Sequence, residues 1–272
     1  MTAFAKKVIS IIMIALVLLQ GSAAFAVQDS FEPENILAKR AESRFNADMA
    51  EDDDFDPYDY SLAGIVIGID PGHQLKADSE QEPVYPYDDR KTKDRMSPGA
   101  VGVRSGIAEH EINLAVSLKL ADFLRAAGAT VVLSRSTDDV NVSNIERANL
   151  MNDANVDFWL RIHCNSSHYQ RTNGALIIAP DKGMEIHDSS VALGKQVLAG
   201  FCAATGAACK GVSYTSTQTG FNWSNIPVVT IEMGYLSNPY EDVLLGRESY
   251  QRICAAGIFS GIAAYRAEED EA

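Results

Sequence analysis

Gly64-Ile-Val-Ile-Gly-Ile-Asp-Pro-Gly-His73 is the stretch that decides the fold of this chain. Its β-branched apolar run at 66–69 is typical of a buried strand and is too short for a core helix. Pro71 cannot continue a central strand, and Gly72 permits backbone angles that other residues avoid. The chain should therefore leave the sheet sharply and present His73 at the carboxyl end of the strand, where ligands and catalytic groups collect in α/β sheets.

Strands and helices alternate along the chain after this run. Further strands are predicted at 129–134, 158–163, 174–179 and 227–233, and helices at 109–127, 143–154, 189–205 and 248–267. Helical spacing of apolar residues and terminal glycines define the helices, whereas the strands are short apolar runs. The alternation indicates a single α/β domain with a mostly parallel twisted sheet flanked by helices on both faces. Segment 74–105 is polar and contains prolines, so we expect a long functional or mobile loop there.

The two ends of the chain differ from this central part. Residues 1–26 have the pattern of a signal peptide, in which two lysines precede a short apolar run and Ala-Phe-Ala supplies a cleavage pattern. The run is short for a membrane span, which needs about 20 residues, so an uncleaved anchor is the less favoured alternative. Residues 27–62 are strongly acidic and should form a disordered linker. A globular domain is expected at 63–267, followed by a solvated acidic tail at 268–272.

Composition limits the partners of the chain. The formal net charge is −14 and no stretch is rich in Lys and Arg, which argues against nucleic acid because phosphate binding needs clustered basic residues. With the signal pattern, we expect an exported protein of the cell envelope that has no membrane contact after signal cleavage.

Four cysteines remain in the globular part, and export allows them to form disulfides. Sequence alone permits three complete pairings of Cys164, Cys202, Cys209 and Cys254. Cys202 and Cys209 are close enough to pair if the helix that carries Cys202 ends between them. The alternative is that all four are small buried thiols.

Three predicted strands end on groups suited to metal or acid–base chemistry, which are His73, His163 and Glu232. Glu109 lies in the first turn of the longest helix, where the helix dipole favours its ionised form. Catalytic zinc commonly takes three ligands from His and carboxylate, so His73, Glu109 and His163 form a suitable set. Glu232 is then a buried carboxylate placed to act as a general base. Cys164 adjoins His163, but neighbouring strand residues point to opposite faces, which argues against a thiol nucleophile.

Together, four segments resemble the signatures of zinc-dependent N-acetylmuramoyl-L-alanine amidases, over about residues 64–266. They are Ile69-Asp-Pro-Gly-His73, Ala108-Glu-His-Glu-Ile-Asn-Leu114, Arg161-Ile-His-Cys-Asn165 and Ile231-Glu-Met-Gly-Tyr-Leu-Ser-Asn-Pro239. The resemblance implies that His73, Glu109 and His163 hold Zn²⁺ at the carboxyl ends of the strands and that Glu232 is the catalytic acid/base. It also implies the substrate bond, the amide between the lactyl group of N-acetylmuramic acid and L-alanine in peptidoglycan.

Other matching positions imply supporting roles for Arg147 and Asn165. The sequence departs from the common pattern where Gln74 replaces the glycine after the first histidine and where Cys164 replaces a small residue, usually alanine. The loop before Ser97-Pro-Gly-Ala is also longer than in short members. None of these departures removes a catalytic group.

Two alternatives keep the same fold with another function. One is a catalytically silent module that binds or regulates peptidoglycan, and the presence of all four catalytic positions argues against it. The other is a zinc endopeptidase that cuts within stem peptides. For the enzyme we expect a monomer and leave room for a protein activator.

Overall fold

The computed structural model describes residue 57 and residues 60–270. The strands are β1 (Val66–Pro71), β2 (Asp78–Tyr85), β3 (Asp88–Met96), β4 (Thr130–Leu133), β5 (Phe158–Asn165), β6 (Ala175–Pro180), β7 (Cys209–Thr215) and β8 (Val228–Tyr235). The helices are α1 (Glu109–Ala126), α2 (Asn144–Asp153), α3 (His187–Thr205), α4 (Thr219–Asn222), α5 (Pro239–Leu245) and α6 (Glu248–Asp270). The predicted signal peptide, most of the predicted linker and residues 271 and 272 lie outside the described residues.

Six strands form one sheet in the order β4-β1-β5-β8-β6-β7. All neighbouring pairs are parallel except β6 and β8, which are antiparallel. The mostly parallel α/β sheet predicted from the sequence is therefore confirmed. β4 and β5 lie on opposite sides of β1. The chain segments that follow β1 and β5 therefore leave the carboxyl edge of the sheet in different directions, and a crevice opens between them.

Helices cover both faces of the sheet. The larger core lies between the sheet and helices α1, α3 and α6, and it includes Ile69, Leu160 and Ile231. The smaller core lies under α2 and α4 and includes Trp159 and Phe221, both fully buried. Strand side chains alternate between faces, so Arg161 and His163, two and four residues after Trp159 in β5, point to the same face as Trp159, the face covered by α2. Among residues 57 and 60–270, no helix combines the length and apolarity needed to cross a membrane.

Segment 74–105 is not the loop expected from its composition, because β2 and β3 form an antiparallel hairpin there. Most of its side chains are polar and exposed, so the alternation that marks a half-buried strand is missing. Cross-strand pairing replaces it, as when the Gln81 amide donates to Asp94 at 2.6 Å. The hairpin is anchored at Val84 and Met96, each 3% exposed, and by the Trp223 indole N–H, which donates to a hairpin carbonyl.

Three local predictions are also decided by the structure. Cys202 and Cys209 form a disulfide that joins the end of α3 to β7, whereas Cys164 and Cys254 are buried free thiols. The position of His110, next to Glu109 but on a different face of the helix, predicts a solvated side chain, and this prediction is wrong. His110 is 6% exposed because the loop after β4 covers it and supplies a carboxylate as partner for its Nδ1.

Asp70 is the centre of a buried ion network at the carboxyl end of β1. It is fully buried, and its oxygens accept hydrogen bonds from Arg147 Nη1 at 2.6 Å and Arg161 Nε at 2.9 Å. Burial alone would raise the pKa of Asp70, but the two guanidinium groups hold it well below its usual range. Arg147 also donates to the backbone carbonyls of Pro71 and His73, so it fixes the turn that carries the histidine.

Replacing Asp70 with asparagine should destabilise the fold strongly. Asp70→Asn leaves two buried guanidinium groups without their counter-ion, which should lower the free energy of unfolding by about 3 to 5 kcal/mol. Urea-induced unfolding at pH 7, followed by circular dichroism, measures the loss. Asp122→Asn, on the exposed face of α1, is the matched control and should change it by less than about 0.5 kcal/mol. Equal effects of the two variants would refute the role given to Asp70.

Candidate metal centre

Three side chains predicted as metal ligands converge at the crevice. The ligand atoms of His73, Glu109 and His163 all lie within 4.8 Å of one another. Glu109 Oε1 lies 3.2 Å from His73 Nε2 and 3.1 Å from His163 Nδ1. They come from the turn after β1, the first residue of α1 and the end of β5, so the sheet edge and one helix terminus bring them together.

Close backbone approach makes this geometry possible. Any Cβ at Gly72 would overlap the His163 ring, and a Cβ at Gly99 would lie 3.0 Å from the His73 ring. Gly99 also has a φ of +80°, and His73 itself has a φ of +60°, which is uncommon for a residue with a Cβ. The glycine before the first histidine is thus required by its contact with the second.

Glu109 is held as an oriented anion. Its Oε2 accepts the backbone N–H of Ala100 at 2.8 Å, and its Oε1 accepts the backbone N–H of Cys164 at 3.1 Å. Asn113, one helical turn later, donates to the same Oε1 at 3.3 Å. Burial alone would raise the pKa of Glu109, but the adjacent rings of His163 and His73 hold it well below its usual range. The carboxylate is therefore ionised and fixed in place.

Both imidazoles are suited to bind a cation. His73 Nδ1 lies 3.0 Å from the carbonyl oxygen of Ser97, which can only accept, so this nitrogen carries a proton. In the neutral ring, Nε2 then directs a lone pair at Glu109 Oε1, and a cation between the two atoms removes that conflict. Burial lowers the pKa of His163 to about 4, which favours the neutral, ligating form. Two neutral imidazoles and one carboxylate are the donor set of many catalytic zinc sites, so these residues fit such an ion.

Glu232 lies beside this cluster on the same edge of the sheet. It is the register partner of His163 across β5 and β8, and its buried Oε2 has no hydrogen-bond partner among the described residues. Burial and the negative charge of Glu109 raise the pKa of Glu232 to about 8, against the opposing charge of Arg161. A cation bound at the cluster would lower this pKa again. The group is placed to exchange a proton near neutral pH.

Two adjoining cavities expose these groups to substrate. One of 540 Å³ lies between the sheet edge and the β2–β3 hairpin, and one of 390 Å³ lies under the segment 97–100. His73, His163 and Glu232 line both cavities. A substrate that spans the two cavities would pass directly over the cluster.

The other residues singled out in the sequence lie at different places around this cluster. Arg147 is buried beneath the turn and contacts none of the three clustered side chains directly, while Asn165 lines the smaller cavity. Cys164 faces the larger core, and burial raises the pKa of its thiol well above the usual range, so it is not a reactive thiol. The Gly/Ser/Asn-rich sequence around Phe221-Asn-Trp223 predicts either a substrate-facing lip or a packing lid, and Phe221 is fully buried, as a packing lid requires.

Arg161 and Asn113 were not predicted as site residues, although the sequence contains a signal for each. Arg161 lies two residues before His163 in a strand, so both residues face the α2 side. Asn113 lies four residues after Glu109 in a helix, so the two share one helical face. Arg161 lies in the motif 161–165 and Asn113 in the motif 108–114, but neither motif by itself indicates what these two side chains contact.

Comparisons with known proteins find a matching family, a relative of similar sequence and solved structures of similar fold. A family profile for N-acetylmuramoyl-L-alanine amidases matches residues 67–264. The germination-specific N-acetylmuramoyl-L-alanine amidase of Bacillus subtilis is 25% identical over 84% of this chain and 90% of that protein. The crystal structure of the N-acetylmuramyl-L-alanine amidase Ami1 of Mycobacterium smegmatis has a TM-score of 0.71 and 23% identity, over 76% of this chain and 99% of that one. The CwlD amidase of Clostridioides difficile, solved in complex with the GerS lipoprotein, has a TM-score of 0.61 and 24% identity, over 75% and 100% of the chains.

Adding one methyl group at Gly72 should damage the metal centre. In Gly72→Ala the new Cβ displaces the His163 ring, so we expect at least about a tenfold loss of zinc affinity, as for changes that misorient a ligand. Competition titration against a zinc-binding dye measures the affinity. Gly183→Ala adds the same methyl where nothing lies within 4 Å, at the cost of some backbone strain. Its zinc affinity should stay at the wild-type value, and unchanged affinity in Gly72→Ala would contradict the packing described.

Proposed function

This chain belongs to the N-acetylmuramoyl-L-alanine amidase family, and from that premise we propose that His73, Glu109 and His163 bind Zn²⁺ and that Glu232 transfers the protons of the reaction. The enzyme hydrolyses the amide between the lactyl group of N-acetylmuramic acid and L-alanine in peptidoglycan. The observation that supports the zinc assignment is the convergence of two imidazoles and an ionised carboxylate within 4.8 Å.

Bound zinc supplies Lewis acidity, which makes water a nucleophile near neutral pH and polarises an amide carbonyl. Around it, each side chain has a separate task. Glu109 supplies a negative charge that partly balances the charge of the ion. The backbone N–H groups of Ala100 and Cys164 donate to its carboxylate and keep it oriented toward the two histidines. The Ser97 carbonyl holds the tautomer and orientation of His73.

Glu232 carries the proton chemistry in this proposal. The Glu232 side chain lines both cavities and its Oε2 has no hydrogen-bond partner among the described residues, so Glu232 can accept a proton from the water that attacks the carbonyl carbon. The C–N bond then breaks, and Glu232 gives the proton to the L-alanine nitrogen, which leaves as a neutral amine. Burial assists the first transfer, because a raised pKa makes the carboxylate a stronger base.

The remaining assignments are proposals about the whole chain. We assign residues 1–26 as a signal peptide, 27–62 as an acidic linker, 63–267 as the catalytic domain and 268–272 as an acidic tail, in a monomer exported to the cell envelope. The Cys202–Cys209 disulfide supports export, since disulfides persist in oxidising compartments. Two linker residues, Tyr60 and Leu62, already pack on the domain. A protein activator is consistent with the lipoprotein complex of the Clostridioides difficile neighbour.

Substitution of Glu232 by glutamine separates catalysis from metal binding. Glu232→Gln keeps the shape of the side chain but cannot exchange protons, so turnover should fall by at least about a hundredfold. Zinc content, measured by atomic emission, should remain at one ion per chain. Glu185→Gln, on an exposed loop, is the control and should behave as wild type. A Glu232→Gln enzyme with wild-type turnover would rule out the assignment.

Removal of a zinc ligand, unlike the substitution at Glu232, should affect the zinc content as well as the activity. His163→Ala should lose both the bound zinc and the activity, because two ligands rarely retain the ion. His168→Ala, which removes an exposed histidine from the following loop, should keep both. A full zinc complement in His163→Ala would show that another group serves as the ligand.

A further inference from the structure

The β2–β3 hairpin contributes side chains to the lining of the active-site cavity, and these have no role in the proposed reaction. Strand β3 runs along the 540 Å³ cavity, and Lys93, Asp94 and Met96 line it on the side facing His163 and Glu232. The hairpin is attached to the domain through α4, where Asn222 Nδ2 donates to the Val84 carbonyl at 3.0 Å. A substrate bound over the metal centre would therefore lie against β3.

The two cations of this cavity differ in how they are paired. The charge of Arg161 is paired with Asp70, to which its Nε donates at 2.9 Å, and its Nη2 and Nη1 donate to Asn144 at 2.9 Å and to Gln218 at 3.2 Å. Lys93, by contrast, is half-buried, and its side chain forms no hydrogen bond or close ion pair with any described residue. The Lys93 ammonium therefore has all three of its donors left for a ligand.

The surroundings of Lys93 disfavour an unpaired ammonium. Burial, together with the neighbouring charge of Arg161, lowers the pKa of Lys93 to about 8, and only Glu82 opposes the change. Glu82 faces Lys93 across the hairpin, but its Oε2 already accepts the backbone N–H of Ile145. Asp94 accepts from Gln81. An anionic ligand would therefore gain a strong, partly desolvated partner in Lys93.

We propose that Lys93 recognises a free carboxylate of the stem peptide and makes the enzyme select substrates that carry one. This inference rests on the proposed function, since it takes its ligand from the same substrate. Stem peptides offer such a carboxylate at two places, on the γ-linked glutamate that follows L-alanine and at the peptide carboxyl terminus. The cavity volume of 540 Å³ is in the range that holds a small ligand.

Matched substrates and variants test this assignment on the full zinc-loaded chain. The substrates are N-acetylmuramoyl tripeptides with both carboxylates free, with only the glutamate carboxylate amidated, or with only the terminal one amidated. Lys93→Met should raise KM about tenfold for the free substrate, with kcat within about twofold, and should abolish the preference over one amidated form. The amidated form that wild type already disfavours identifies which carboxylate Lys93 binds. Lys93→Arg should retain the preference.

The control is Lys91→Met on the same strand. Lys91 is exposed, its Nζ lies 5.4 Å from the centre of the Tyr85 ring, and it does not line the cavity, so its kinetics should match wild type. Thermal unfolding checks that each variant is folded. Equal KM values for all three substrates in wild type, or a loss of kcat in Lys93→Met on every substrate alike, would overturn the inference.

Calorimetry with the free stem tripeptide separates this inference from the proposed function. Wild type should bind the tripeptide about tenfold more tightly than Lys93→Met does, and amidation of one carboxylate should remove the difference. Should wild type release no stem peptide from any substrate, the proposed function fails, while the calorimetry still decides the role of Lys93. Equal affinity of wild type and Lys93→Met for the free tripeptide would refute that role.

Discussion

A buried carboxylate between two guanidinium groups is the constraint on which the site depends. Asp70 lies next to the last residue of β1 and joins Arg147 of α2 to Arg161 of β5, so three elements meet at one charge cluster. Such a cluster is costly to bury and holds only if each partner is present. Arg147 then uses its remaining donors on the turn that carries His73, while Arg161 shapes the floor of the larger cavity. The ion network thus sets the position of the turn that carries His73, one of the three residues of the candidate metal centre.

Alternation along strands explains why much of the site could be predicted. His163 and Glu232 come at the ends of short apolar runs, and such runs give both the strand and the edge where it stops. Since parallel strands share that edge, separate segments could be placed together without any structure. The predicted zinc ligands do converge, although their binding of zinc is still a proposal. Arg161 shows the limit, because its motif was recognised while its charge partner, Asp70, is 91 residues away.

The hairpin could not be predicted by the same reasoning. Strands β2 and β3 carry few apolar residues, and pairing between polar neighbours leaves no alternation to detect in one sequence. Its position against α4 depends on contacts such as Trp223 with the Pro83 carbonyl, about 140 residues apart. Buried polar contacts of this kind also placed His110 in the interior. One departure from the family pattern also rests on such contacts, because Gln74 Oε1 accepts the Val142 N–H and an Arg147 N–H, which a glycine could not do.

Identification of the released ends tests the central claim most directly. The purified chain would be incubated with isolated peptidoglycan, with and without a chelator, and the soluble products analysed by mass spectrometry. A zinc amidase built on His73, Glu109 and His163 should release free stem peptides that begin at L-alanine, should stop with chelator and should recover when zinc is added back. Cuts inside the stem peptide, or release that continues unchanged in the presence of chelator, would contradict the account.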